Sequence, residues 1–237
     1  MNVVLFEPDE VGRPLDRSDA RAVHILEVLR RSEGDEFDAG VVNGPMARGR
    51  LTAVEEHMLC FSFKWGALPP PLDPITLIVG LPRPQTARKV LEEATTLGVA
   101  ALHFVAADTA EASYARSKLW SSAEWRRHLI AGASQAFSTR IPEVAWGDTL
   151  EAAIALLPSG GTRLALDNYE YAAALGSVEV QAPVAVCVGG ERGWSGRERA
   201  LLRARGFTLV HAGPRVLRVE TACVAALVVV RSRLGLM

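Results

Sequence analysis

The chain has no apolar run long enough to cross a membrane. Its longest, Ala222–Val230, falls short of the roughly 18–20 residues that a spanning helix needs. Cysteine is scarce and odd in number: Cys60, Cys187 and Cys223 each sit in an apolar stretch. Buried thiols in a reducing compartment explain them better than a disulfide framework or a metal site. The opening MNVVLFEPDE carries early acids and no basic segment, so no secretory signal is expected and a cytoplasmic location is. Excess charge is missing as well. A formal net charge of −1 excludes a protein that grips nucleic acid by bulk electrostatics and leaves only local patches. Neither the dinucleotide fingerprint G-x-G-x-x-G nor a lysine-bearing phosphate loop is present, which weakens any dehydrogenase-like or nucleotide-hydrolysing reading.

What remains is an ordinary globular composition. At 237 residues, 49% of them hydrophobic, the prior is one or two domains that remove roughly 70–75% of the unfolded chain's surface from water. Val3–Phe6 reads as a short strand. From Ser18 the apolar positions Ala22, Ile25, Leu26 and Leu29 follow helical spacing, with Ser18 or Asp19 as cap and Gly34 ending the segment. Phe37–Val42, Arg48–Val54 and Met58–Trp65 read as strands, with Asn43-Gly44 marking a hairpin. Several short strands and one helix predict a small β-barrel over residues 1–67. The segment Leu68-Pro-Pro-Pro-Leu-Asp-Pro74 is the one proline-dense stretch; its extended, semi-rigid geometry predicts a linker over 68–74.

Over residues 75–237 strands alternate with helices: strand Ile75–Val79, helix Ala87–Leu97 closed by Gly98, strand Leu102–Ala106, and helix Trp125–Phe137. Helix Thr149–Leu156, strand Arg163–Leu166, strand Val184–Val188, strand Thr208–His211 and a last helix near Val219 follow. That alternation predicts an α/β domain with a mostly parallel sheet. Ligands bind such sheets beyond the carboxyl ends of the strands. Leu166-Asp167, Val188–Gly193 and Ala212–Leu217 are therefore the candidate walls of a site. The polar segment Asp108–Leu119 is a candidate substrate loop. Val224, Leu227 and Val228 share an apolar face of the last helix.

The most informative stretch is VGGERGWS followed by GPRVLRVETA. Ser195 with Glu198 forms a capping box at a helix start, and both loops suit close backbone approach to a polar small molecule. Arg192, Arg197, Arg199, Arg203, Arg205, Arg215 and Arg218 gather here, either lining an anionic partner or forming a solvated helix face. Together the two loops resemble the C-terminal signature of the ribosomal RNA small subunit methyltransferase E family. That family belongs to the SPOUT superfamily of S-adenosylmethionine-dependent RNA methyltransferases. Leu217-Arg218-x-Glu220-Thr221-Ala222 matches without a gap, whereas the first loop departs from the family's G-P-E-G-G at Gly190 and Arg192. AVHILEVLRRSEGDEF resembles the family's H-x-x-x-V-L-R…G-D stretch. LPRPQTARKVLEEATTLGV resembles its opening helix unit, with Thr96 in place of an acid. SQAFSTRIPEV follows E-Q-x-x-R-x-x-x-P-E-V in outline, with Ser134 in place of its acid.

The resemblance spans nearly the whole chain. It implies an N-terminal PUA-like RNA-binding domain and a C-terminal SPOUT domain with a trefoil knot, working as a homodimer. It also implies methyl transfer from S-adenosylmethionine to N3 of a uracil in 16S ribosomal RNA, within the small subunit. The cofactor would lie against Leu166, Val188, Gly189, Gly190, Glu191, Gly193, Ala212, Gly213, Val216, Leu217, Thr221 and Ala222, with no metal. RNA would be met by His24, Arg30, Arg83 and Arg140, although His24, apart from the resemblance, reads as a packed or capping histidine. Arg218 suits stabilising charge on the uracil, and Glu220 suits accepting the N3 proton or orienting that arginine, with Glu191 in reserve. The bland alternative is an Arg218–Glu220 pair that staples the last helix. Two other functions stay open: a different nucleotide-cofactor enzyme on a doubly wound sheet, and an RNA-binding relative without activity.

Overall fold

A computed structural model describes residues 2–237. Two units cluster separately. One takes the chain through Pro71 together with Ala133–Ile141; the other takes Leu72–Gly132 and Pro142–Met237.

In the N-terminal unit, strands β1 (Val4–Phe6), β2 (Leu15–Asp16), β3 (Glu36–Val41), β4 (Met46–Val54) and β5 (Met58–Trp65) form a curled half-barrel in the order β1-β3-β4-β5-β2. Only the β1–β3 pair is parallel. Along β4 the alternation is plain: Ala47, Gly49 and Leu51 are buried, Arg48, Arg50 and Thr52 exposed. A bulge between Leu51 and Ala53 adds the local twist that helps a short sheet to curl. Inside, Phe6 meets Phe61 and Phe63 edge-on at 5.8 and 5.2 Å.

Helix α1 (Ala20–Val23) is capped by Asp19, whose carboxylate accepts from the Arg21 N–H. It then continues as a single π turn over His24–Val28. The spacing predicted helix onward to Gly34; the structure stops earlier because Arg30 adopts a left-handed backbone, φ 53°. Asn43, also left-handed at φ 57°, turns β3 into β4 and accepts the Ile141 N–H through Oδ1 at 3.0 Å. Thr139 donates to the Gly44 carbonyl at 2.6 Å. Those bonds attach 133–141 to the N-terminal unit, whereas the sequence reading ran the second domain unbroken from residue 75.

The C-terminal unit is built on seven parallel strands. They are β6 (Asp73–Gly80), β7 (Val99–Ala106), β8 (Glu143–Thr149), β9 (Thr162–Leu166), β10 (Ala173–Ala174), β11 (Val184–Val188) and β12 (Thr208–His211). Their spatial order is β10-β12-β9-β11-β6-β7-β8. β11 is buried at every position and lies between β9 and β6. A strand enclosed on both faces and both edges reads as a continuous apolar run, as VAVCV does.

Helices α2 (Pro84–Thr96), α3 (Lys118–Ser121), α4 (Glu124–Gln135) as far as Gly132, α5 (Leu150–Ala155), α6 (Gly196–Ala204) and α7 (Val219–Arg233) complete the unit. On one face of the sheet, Ile78, Ala165, Ala185, Cys187 and Leu209 pack with Leu150, Ile154, Leu202 and Trp194 in a single core. α7 contacts β11 and α2. α7 buries Val219, Ala222, Cys223, Ala226, Leu227 and Val230, a spacing of i, i+3, i+4, i+7, i+8 and i+11. Val224 and Val228, assigned to that face from sequence, are only half-buried, as are Ala225 and Val229 beside them. No helix among the described residues is long and apolar enough to cross a membrane.

Candidate functional site

Because β9, β11 and β12 run parallel and adjacent, their carboxyl ends open to the same side. There a cleft of about 650 Å³ is lined by the three loops that leave those strands, together with the first turns of α2 and α7. Such a volume suits a cofactor-sized ligand.

The loop after β11 is backbone pressed on backbone. A Cβ at Gly189 would stand 2.7 Å from the Gly193 Cα, and one at Gly80, where β6 ends, would stand 2.6 Å from the Gly190 nitrogen. Gly193 holds φ +66° and donates to the Gly190 carbonyl at 2.9 Å, closing the turn. The Glu191 carboxylate accepts the Arg83 N–H at 2.9 Å, tying this loop to the start of α2. Glu191 therefore acts here as a brace. Behind the loop Trp194 is buried and the Ser195–Glu198 capping box is made. Glu198, wholly buried, accepts from the Ser195 and Asp108 backbone N–H groups at 2.8 and 2.9 Å. A buried carboxylate is tolerated when donors satisfy it in this way.

The loop after β12 turns at Gly213, φ +104°, whose N–H is 3.1 Å from His211 Nδ1. It ends at Arg218, the N-cap of α7, whose side chain makes no capping bond. Glu220 lies in the first turn of α7, and its carboxylate pairs with Lys89 of α2 at 3.1 Å. The staple between these helices is therefore Lys89–Glu220, not Arg218–Glu220. Hydrogen bonding at the helix N-terminus, then Lys89, holds Glu220 below the usual carboxylate range despite its burial. Such a group stays ionised and is a weak proton acceptor. Burial pushes the Cys187 and Cys223 thiols up, which leaves both unreactive.

The loop after β9 is fixed by Asp167. Its carboxylate accepts from the Tyr169 and Glu170 N–H groups at 2.8 and 2.7 Å and pairs with Arg199 at 2.6 Å.

Six of the seven arginines gathered in this stretch, all but Arg205, divide into two sets. Arg197 pairs with Asp108 and Glu151, Arg199 with Asp167, and Arg203 with Glu170, so these belong to the α6 surface. Arg192, Arg215 and Arg218 line the cleft with Arg83, and none of the four forms an ion pair with a described residue.

The structure brings together on the cleft wall Leu166, Val188, Gly189, Gly190, Glu191, Gly193, Ala212, Val216, Leu217, Arg218, Glu220 and Ala222. Gly213 shapes its loop without lining the cleft, and Thr221 is exposed on the first turn of α7. His24, Arg30 and Arg140 belong to the N-terminal unit. Arg30 is exposed there, while His24 Nε2 and Arg140 Nε are buried with no hydrogen-bond partner among the described residues. Sequence reasoning missed Gln85, Thr86 and Lys89, all on the cleft wall. It started α2 at Ala87, whereas the helix opens with Pro84 in its first turn, a proline signal that was available.

Known proteins resemble this chain over most of its length. A family model described as RNA methyltransferase domain matches residues 69–231. The ribosomal RNA small subunit methyltransferase E of Treponema pallidum is 35% identical over 240 residues, covering 97% of this chain and 90% of that protein. The protein of the same name, numbered 1, from Borreliella burgdorferi is 25% identical, covering 99% of each. Among solved structures, a ribosomal RNA small subunit methyltransferase E from Neisseria gonorrhoeae bound to S-adenosyl methionine superposes with a TM-score of 0.79 at 26% identity, covering 97% of each chain.

Proposed function

Because the chain belongs to the ribosomal RNA small subunit methyltransferase E family, we propose that its cleft carries out S-adenosylmethionine-dependent methylation of N3 of a uridine in 16S ribosomal RNA. Methyl transfer onto small-subunit ribosomal RNA follows from the family. The N3 position and the residue roles are our reading. The observation that carries it is the side-chain-free approach of Gly80 to Gly190 and of Gly189 to Gly193, a cradle for a flat polar ligand at the carboxyl end of a parallel sheet. S-adenosylmethionine, when bound there, supplies an electrophilic methyl group on a sulfonium.

Uracil N3 attacks well only after losing its proton, so the site must stabilise negative charge on the ring. Arg218, on the wall without an ion pair to a described residue, offers forked donors to the uracil carbonyls. Glu220, held ionised by the helix terminus and Lys89, sets the local field and steadies that arginine, leaving the proton to solvent. N3 lies on the pairing edge of the base, so the nucleotide enters unpaired or flipped. His24, Arg30 and Arg140 make the N-terminal unit, a PUA-like domain on this reading, the second RNA contact.

The half-exposed apolar strip of Val224, Ala225, Val228 and Val229 on α7 supports a homodimer, and we assign a trefoil knot and a cytoplasmic location by family. Light scattering should give twice the chain mass at micromolar concentration. An active monomer would remove the dimer. The test of function is mass spectrometry of small-subunit RNA from cells with and without the protein, alongside calorimetric cofactor binding. Identical uridine modification in both would sink the N3 assignment.

A further inference from the structure

Aromatic residues make up 6% of the chain, and most of the large rings are packed. Tyr169 and Tyr171 are not: they are 78% and 52% exposed. Both lie on the turn that leaves β9, and Tyr169 is on the cleft wall. An exposed ring on a loose loop would mean little. This turn is braced from below. Asp167, only 6% exposed, takes the Tyr169 and Glu170 N–H groups on Oδ1 and Arg199 on Oδ2. The Arg199 guanidinium carbon stands 5.2 Å from the Tyr169 ring centre. Tyr171 leans on His211 with ring centres 4.3 Å apart, and His211 in turn meets the Gly213 N–H of the neighbouring loop. Two tyrosine rings are thus presented to solvent on a fixed backbone.

Across the same cleft lie Arg192 and Arg215, without ion-pair partners among the described residues. Arg197, Arg199 and Arg203 on α6 each pair with an acid from a neighbouring element; those two have no such pair among the described residues. Exposed aromatic faces beside unpaired cations are how proteins hold single-stranded nucleic acid, through base stacking with phosphate contacts alongside. Resting on the function proposed above, we infer that the Asp167–Tyr171 turn is a stacking platform for an unpaired RNA base next to the nucleotide being methylated. Arg215 and Arg192 take the phosphates on either side of it. The Asp167–Arg199 pair is a positioning device for the platform and does not touch RNA. Stacking accepts any base, so this contact adds affinity and register while the cleft beyond Arg218 selects the uracil.

The test uses the full chain with unmethylated small-subunit ribosomal RNA, in the presence of S-adenosylhomocysteine. Tyr169→Ala should weaken RNA binding by about 5- to 150-fold, the range for losing one stacked base. Tyr169→Phe, which keeps the ring, should bind within about twofold of wild type on the same argument. Arg215→Gln should lower the slope of log affinity against log salt by about 0.7, one released counterion on a single strand. Cofactor affinity by calorimetry should be unchanged in Tyr169→Ala, and light scattering should give the wild-type mass. The inference is overturned by unchanged RNA affinity in Tyr169→Ala. It is equally overturned by a parallel loss of cofactor affinity, which would stack the ring on the cofactor's purine, or by a change in mass, which would place the ring between copies of the chain. Wild-type protein that bound RNA and no cofactor would instead sink the proposed function, leaving the platform to stand on the Tyr169 contrast.

Discussion

Lys89 takes the carboxylate that the sequence pairs with Arg218, and this one contact divides the labour within the ungapped motif. Arg218 stands on the cleft wall with no ion pair to a described residue, though Glu220 feels its charge; Glu220 becomes an ionised fixture at a helix terminus. If Arg218 acts on developing charge, its loss should appear in the transition state more than in either bound ground state. Arg218→Ala should lower kcat by about 10²–10³ with little change in KM, the scale for one preorganised donor. Arg218→Lys should recover little, since a point ammonium lacks the fork. Glu220→Gln should cost no more than about fivefold, the worth of a partly exposed ion pair, with an unaltered pH–rate profile. Single-turnover methylation of unmodified small subunits measures both. A large loss in Glu220→Gln, with a shifted profile, would return the proton acceptor role to Glu220. The position of the pair was legible from spacing, but its partner was not. Lys89 lies on a helix brought beside α7 only by the sheet order, and no local pattern encodes that.

Among elements, those with strong periodicity or enclosure could be read from the chain. β6, β7, β9, β11 and β12 follow apolar runs, and α6 follows its capping box. β8, β10 and the π turn at His24 escaped, each for a local reason. β8 is half to fully exposed, with a glycine and an aspartate in EVAWGDT, so neither enclosure nor alternation marks it. β10 is two residues long. A π turn keeps much the same apolar spacing as an α-helix, and only its i→i+5 bond, Leu29 N–H to the His24 carbonyl at 2.9 Å, tells them apart. The cradle is a property of two elements at once, which makes Gly80 its sharpest probe. Gly80 has an ordinary φ, so alanine there carries no backbone strain of its own. Its Cβ would nevertheless strike the Gly190 nitrogen at 2.6 Å and the Gly189 carbonyl carbon at 3.3 Å, and backbone cannot swing aside as a side chain does. Gly80→Ala should therefore displace the loop after β11 and weaken cofactor binding by about tenfold or more, roughly 1.4 kcal/mol. Calorimetry checks this, and wild-type affinity would show that the loop yields and the cradle is looser than drawn.

At the scale of the whole chain, alternation gave the parallel sheet but could not give its order. Strand order depends on which apolar faces meet after several crossovers, and the placement of β11 between β9 and β6 has no signature along the chain. The capture of residues 133–141 by the N-terminal unit is equally silent, resting on bonds to the turn at Asn43 and Gly44. Ion pairs distributed over both units make a further prediction, about acid. In the N-terminal unit, Glu10 and Asp19 are held below their ordinary values of 4.5 and 3.8, first by hydrogen bonds from Arg21. In the C-terminal unit Arg197 does the same to Asp108 and Glu151, and Arg88 to Glu124. The Arg197 pairs are the more exposed, and exposed pairs contribute little; the Arg21 cluster, in which one guanidinium holds two carboxylates with side chains 26–33% exposed, is the one to follow. A carboxylate whose pKa is depressed in the fold contributes stability that is complete above its unfolded value. That contribution fades as pH falls through the interval down to the folded value, because the unfolded chain takes up protons first. The cluster's share should thus be constant from pH 8 to about 5 and shrink below pH 4.5. Arg21→Met keeps the aliphatic stem and removes the charge. It should lower the Tm clearly at pH 7, where two partly buried carboxylates lose their donor, and by much less at pH 3, where the unfolded reference no longer carries the charge difference. Thermal melts of both chains across that range decide it. A Tm deficit of the same size at pH 7 and pH 3 would mean that Arg21 stabilises through its packing over the Phe6 ring, 5.3 Å away, and not through its charge.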